Sequence, residues 1–100
     1  MQLRDIEYMV TIADKQSFSQ AAEALFISQP ALSQSIKRLE EEIGVALFAR
    51  KRKKVLLTRA GELFLQDARQ ILQLSSHLRT QMENVQSLKQ GSLCIGMTPL

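Results

Sequence analysis

Apolar residues recur along the first half of the chain at alternating spacings of three and four, the period of a helix buried on one face. Leu3, Ile6, Val10 and Ala13 mark a first amphipathic helix over 3–15. Ser17 with Gln20 three places later forms a capping-box pattern, in which hydroxyl and amide each satisfy a free backbone N–H at a helix start. That pattern predicts a short second helix, FSQAAEAL, whose Ala21 and Ala22 let another helix approach closely. In the stretch SQPALSQSIKRLEEEIG, residues 28–44, Leu32, Ile36, Leu39 and Ile43 line up as one stripe of a third helix. Ser28 is placed to cap it, Pro30 falls in the first turn, and Gly44 suits the left-handed residue that ends it. Two helices a few residues apart, the first short and alanine-rich, outline a helix-turn-helix.

The period then changes. In VALFARKRKKVLLT, Leu47–Arg50 and Val55–Leu57 are short β-prone runs around four basic residues, which predicts a hairpin. Its turn holds neither Gly nor Asn, so local chemistry supports it weakly. From Thr58 to about Gln90 the pattern is helical again and free of proline. Phe64, Ala68, Ile71, Ser75, Leu78, Met82 and Val85 alternate spacings of four and three, a heptad stripe with one polar member. At about 1.5 Å of rise per residue such a helix outruns a domain of this size. The predicted cover is a second copy of the chain, with Phe64, Ala68, Ile71, Leu78, Met82 and Val85 as the dimerisation residues. The alternative is one long helix bent back over its own domain. Gly91 stops the helix, and in SLCIGMTPL Leu93 and Ile95 alternate with small residues as in a strand that opens something the chain does not include. The expected fold is mainly α: a winged helix-turn-helix over 1–57, with three helices and a short β-hairpin wing, then a long linker and dimerisation helix over 58–90.

Composition changes this picture little, and the placement of charge changes it more. With 45% hydrophobic and 23% charged residues, the chain can bury a small core. No apolar run is long enough to span a bilayer and no basic-then-apolar start carries a cleavage site, so the expectation is a cytoplasmic protein without a membrane partner. A single cysteine, Cys94, excludes an intramolecular disulfide and any multi-cysteine zinc site. The formal net charge is +3, yet residues 1–49 sum to −3 and residues 55–100 to +1. The pentad RKRKK, residues 50–54, carries +5. Taken alone, it suits a polyanion contact or a solvated turn equally well.

The third helix decides between them. Opposite its apolar stripe it shows Pro30, Ser33, Gln34 and Lys37, short polar groups where a surface helix usually shows long charged ones. A helix entering the major groove of DNA needs such a face, because its N-terminal half must approach base edges closely. Gln29 can pair with adenine, Ser33 and Gln34 can donate or accept, and Pro30 and Ala31 offer apolar surface to a thymine methyl. Lys37 can reach guanine or a phosphate, and the acidic run Glu40–Glu42 lies at the far end. These residues read equally well as ordinary solvated positions until the basic hairpin is added at wing distance. With it, DNA binding is the better reading.

Together these features resemble the N-terminal part of bacterial LysR-type transcriptional regulators. The resemblance rests on Phe18, Ala21-Ala22, Leu25, Ser28-Gln29-Pro30-Ala31, Ser33, Ile36, Leu39-Glu40, Gly44, Leu47-Phe48, Arg50, Leu57-Thr58 and Ala60-Gly61, in order and spacing over 3–65. It implies sequence-specific binding of double-stranded DNA at a dyad-related site. By motif match, Gln29, Pro30, Ala31, Ser33, Gln34 and Lys37 would lie on the base side, with Ser28 as a cap that also touches phosphate. Arg50, Lys51, Arg52, Lys53 and Lys54 would hold phosphates or the minor groove. The family further implies linker helices paired antiparallel in a homodimer, and assembly into tetramers. It also implies that 91–100 is the first strand of an effector-binding domain missing from the chain. There Thr98 would help hold a small-molecule inducer in a longer form. Lys53 stands where the family usually has a second wing arginine, which favours phosphate contact over minor-groove reading because lysine lacks the flat fork.

An enzyme reading finds little support. His77 is the single histidine and has no acid or cysteine at ligand spacing, so no metal or cofactor is expected. The chain has no glycine-rich phosphate loop and no nucleophile elbow. The competing hypothesis from another class is a helical dimerisation module whose basic pentad meets membrane or RNA.

Overall fold

The computed structural model describes residues 1–52 and 54–91. The expectations on Lys53, Cys94, Thr98 and the strand through Leu93 and Ile95 lie outside the described residues. Three helices come first: α1 (Leu3–Lys15), α2 (Phe18–Leu25) and α3 (Gln29–Ile43). Two antiparallel strands follow, β1 (Phe48–Lys51) and β2 (Lys54–Leu57), and then one long helix, α4 (Arg59–Gly91).

Local chemistry sets most of these boundaries. The Ser17 hydroxyl accepts from the Gln20 N–H at 3.1 Å, and the Ser28 hydroxyl from the Ala31 N–H at 3.2 Å. Each of the three helices ends on a left-handed residue, Gln16 (φ 54°), Phe26 (φ 60°) and Gly44 (φ 82°). Only Gly44 takes that conformation without a side-chain penalty, which costs Phe26 about 1 kcal/mol. Phe26 is also 93% exposed, so the strain is not offset by burial within the described residues.

The core sits where α1, α2 and α3 meet. Met9, Ile12, Ala21, Leu32, Leu39 and Leu47 are almost completely buried there, with Phe18, Ala22 and Ile36 beside them. Ala21 and Ala22 lie at the contact, as their small size allows. α1 buries two sides rather than the single stripe its spacing suggested. Met9 and Ile12 enter the main core, whereas Ile6 and Val10 turn toward Ala68 of α4. Leu3 stays 44% exposed.

The first strand lies one residue later than its β-prone run, and the second begins one residue earlier than expected. Leu47 is in the core instead of a strand, and the Glu40 carboxylate accepts from the backbone N–H groups of Leu47 (2.7 Å) and Phe48 (3.2 Å). Glu40 is thus the clamp that starts β1. The register pairs Phe48 with Leu57 and Lys51 with Lys54, and the chain turns after Lys51. Arg52 has φ 53°, the conformation that glycine or asparagine usually supplies in such a turn.

Thr58 joins wing to linker. Its hydroxyl donates to the Ala46 carbonyl at 2.6 Å and accepts from the Gly61 N–H at 2.9 Å, which caps α4. A Cβ on Gly61 would lie 2.1 Å from the Leu47 carbonyl oxygen, so only glycine lets α4 start this close to the hairpin. The first turns of α4 then pack Phe64, Leu65, Ala68 and Leu72 toward α1 and the core. Two of the residues expected at the dimer contact therefore also pack within the protomer. Ala68 is 1% exposed and Phe64 is partly buried against α1 and the core. Ser75, Ser76 and Arg79 still border an open concavity with Leu3, Arg4 and Glu7 of α1, and the molecule measures 60 × 25 × 20 Å.

Candidate nucleic-acid interface

Burial of Leu32, Ile36 and Leu39 fixes how α3 is rotated and therefore what it shows outward. Ser28, Gln29, Pro30, Ala31, Gln34 and Lys37 are exposed and Ser33 is half-buried. Six of the seven residues assigned to this helix thus form an open surface, and the seventh lies at its edge. Glu40 has turned away to clamp Leu47 and Phe48, and Glu41 and Glu42 remain exposed at the far end. Negative charge on the open face is therefore confined to the last turn.

Beside the start of α3 lies the start of α2. The Ser19 hydroxyl donates to Gln29 Oε1 at 3.1 Å, joining the two helices through side chains ten residues apart. Phe18, the first residue of α2, packs edge-on against Phe48 of β1, with ring centroids 5.8 Å apart at 71°. The Arg50 guanidinium lies over the Phe18 ring, 4.6 Å from its centroid. Arg50 is thereby drawn to α2, and a shallow open concavity is lined by Ser17, Phe18, Ser19, Gln29, Arg50 and Val55. The start of α3 and the hairpin thus border one open surface. Neither Ser19 nor Phe18 was singled out for this site by sequence. The one available signal was their position in a helix's first turn, and the pairing with Gln29 and Arg50 exists only in three dimensions.

The other wing cations are held apart from that concavity. Lys51, Arg52 and Lys54 are exposed at the hairpin end, and Lys53 lies outside the described residues. Lys51 and Lys54 stand directly opposite in the register, a like-charge pair that disfavours the hairpin until an anion comes near. Among the described residues, no three His, Cys, Asp or Glu side chains gather as metal ligands. His77 lies exposed on α4. No helix of the described residues is long and apolar enough to cross a membrane.

Comparison with known proteins gives a consistent picture. Residues 3–62 match the bacterial regulatory helix-turn-helix proteins of the lysR family. The HTH-type transcriptional regulator BudR of Klebsiella aerogenes is 48% identical over 98 residues, which are 98% of this chain and 68% of BudR. The DNA-binding transcriptional dual regulator OxyR of Escherichia coli K12 is 39% identical over 99 residues, 99% of this chain but 32% of OxyR. The chain therefore spans about a third of some of its relatives. Among solved structures, the BenM DBD/catB site 1 DNA complex superposes with a TM-score of 0.84 at 37% identity, covering 87% of this chain and 98% of that one.

Proposed function

This chain belongs to the lysR family of bacterial regulatory helix-turn-helix proteins, and from that premise we propose that it binds double-stranded DNA with sequence preference as part of a transcription regulator. α3 enters the major groove, with Gln29, Pro30, Ala31, Ser33, Gln34 and Lys37 toward the base edges and Ser28 near a phosphate. Arg50, Lys51, Arg52 and Lys54, together with Lys53, neutralise phosphates beside that groove or line the adjacent minor groove. The observation that carries this reading is the shared concavity. Gln29 of the recognition helix and Arg50 of the wing border the same open surface, so one duplex can meet both.

The second half of α4 supplies the dimer contact. Ile71, Leu78, Met82 and Val85 are 42%, 56%, 55% and 57% exposed, and Leu74 and Leu88 add to the same helix at 67% each. An apolar helix side this open is covered by a like helix from a second copy, run antiparallel, which sets two recognition helices on a dyad-related site. Assembly to tetramers, a small-molecule inducer held with Thr98 in a longer form, and a cytoplasmic setting complete the proposal. The chemistry is recognition and regulation, not catalysis.

Two substitutions separate the roles. Arg52→Ala should weaken binding to every duplex and flatten its salt dependence, since one fewer phosphate contact releases fewer counterions. Gln29→Ala should cost about 1–3 kcal/mol on a selected preferred site and little on random duplex. Equal loss on both duplexes for Gln29→Ala would remove Gln29 from the base-reading role.

A further inference from the structure

The described cations of the hairpin do not share one environment. Residues directly opposite in an antiparallel pair lie on the same face, so Phe48, Arg50, Val55 and Leu57 form one face of the hairpin and Ala49, Lys51, Lys54 and Leu56 the other. Phe48, Val55 and Leu57 turn the first face to the core. Among the described strand residues, Arg50 is the one cation on that inward face, and its guanidinium lies 4.6 Å from the centroid of Phe18. The ring itself is fixed, being 8% exposed in the main core and packed edge-on against Phe48. A ring attracts a cation without supplying a lone pair, so the five N–H donors of the guanidinium stay available to an anion. Among the described residues, no carboxylate forms an ion pair with Arg50. We propose, on the premise that the concavity shared by Gln29 and Arg50 meets DNA, that Phe18 is a positioning residue. It sets the Arg50 guanidinium for one fixed phosphate beside the start of α3, while Lys51 and Lys54 on the opposite face contribute charge alone.

An arginine side chain that is free before binding loses rotamer freedom when it grips a phosphate, and that loss offsets part of the contact. Holding the guanidinium over a buried ring removes some of the loss beforehand. The same contact fixes where the charge sits. Arg50 lines one concavity with Ser17, Ser19 and Gln29, so its charge lies beside the start of α3 rather than at the hairpin end. Lysine there would keep the charge but not the planar fork that meets two phosphate oxygens at once. Phe18 needs no contact with the duplex. It acts through Arg50, so its effect on affinity exists only while Arg50 is present.

The test is a double-substitution cycle on affinity for a selected preferred duplex, using the wild-type chain, Phe18→Leu, Arg50→Ala and the double variant at one fixed salt concentration. Phe18→Leu should weaken binding by about 2- to 5-fold in the wild-type background, the worth of an exposed cation–π contact. Once Arg50 is replaced by alanine, it should weaken binding no further. Phe18→Tyr keeps the ring and should keep the affinity. Duplexes carrying a single ethylated phosphate give a readout that a merely structural role would not move. The same phosphate should lose its importance in Phe18→Leu and in Arg50→Ala. Equal weakening by Phe18→Leu in both backgrounds overturns the inference, since Phe18 would then act through the fold, and so does no weakening at all. If Phe18→Leu fails to fold, Arg50→Lys decides: it should cost more than Arg52→Lys, and equal costs overturn the inference. Failure of the wild type to bind duplex would instead defeat the DNA reading on which the inference rests, and that control tells the two failures apart.

Discussion

The two halves of α4 carry the same heptad, yet one is packed against the domain and the other is open. In the first half Gly61 lies against the hairpin and Ala68, 1% exposed, packs on Ile6 and Val10 of α1. In the second half Leu78, Met82, Val85 and Leu88 are all more than half exposed. What separates them is length. α1 has 13 residues and reaches about 20 Å, whereas α4 has 33 and reaches about 50 Å. Periodicity tells which side of a helix is apolar; it does not tell which surface covers it. The first members of the stripe pack within the protomer, and the later ones are left exposed, open to the second copy proposed above.

The sharpest way to break this contrast is at Gly61. Gly61→Ala sets a methyl against backbone rather than against a side chain that can move. It should destabilise the domain by about 3 kcal/mol or more, read as a large fall in melting temperature. A wild-type melt would show that α4 can start elsewhere. Next in size are Ala68→Leu and Leu78→Glu, one in each half. Ala68→Leu should cost about 1–3 kcal/mol at every protein concentration, because the overpacking is internal. Leu78→Glu should leave the melt of a dilute protomer unchanged and shift sedimentation from dimer to monomer. If both variants altered only folding, or only association, the division of α4 would be wrong.

The smallest effect is expected between the halves. Arg69 reaches Asp14 of α1 at 2.6 Å, and the hydrogen bond and charge of that carboxylate raise the guanidinium above its ordinary value. Both side chains are about half exposed, so screening leaves the pair worth about 0–1 kcal/mol. A raised basic group stabilises at every pH below its titration, and arginine titrates far above neutrality. Arg69→Ala should therefore lower the melting temperature slightly and by a constant amount across the neutral range, less so in high salt. A larger loss would mean that this contact, and not apolar packing, docks α4.

Much of this architecture was legible because its signals are local. Ser17, Ser28 and Gly44 lie within a few residues of the backbone groups they meet, and α2 and α3 begin, and α3 ends, where those residues said. The exposed side of α3 was legible too, since Leu32, Ile36 and Leu39 define it by exclusion. What stayed hidden depends on distant parts of the chain. Glu40 looked like one of three solvated acids, yet it lies four residues after the buried Ile36, at the edge of the stripe, and clamps the start of β1. The turn at Arg52 lacks the residue that would announce it, and pairing of the flanking strands imposes its left-handed backbone. Ser19 with Gln29 and Phe18 with Arg50 meet only after α2 has packed between α3 and the wing.

The most direct measurement is fluorescence anisotropy of this chain on a labelled random duplex and on single-stranded RNA of equal length, across a salt series. Tighter binding to duplex is expected, with affinity falling steeply as salt rises. Equal binding to both, or binding to neither, would contradict it and leave the exposed face of α3 without a groove to enter.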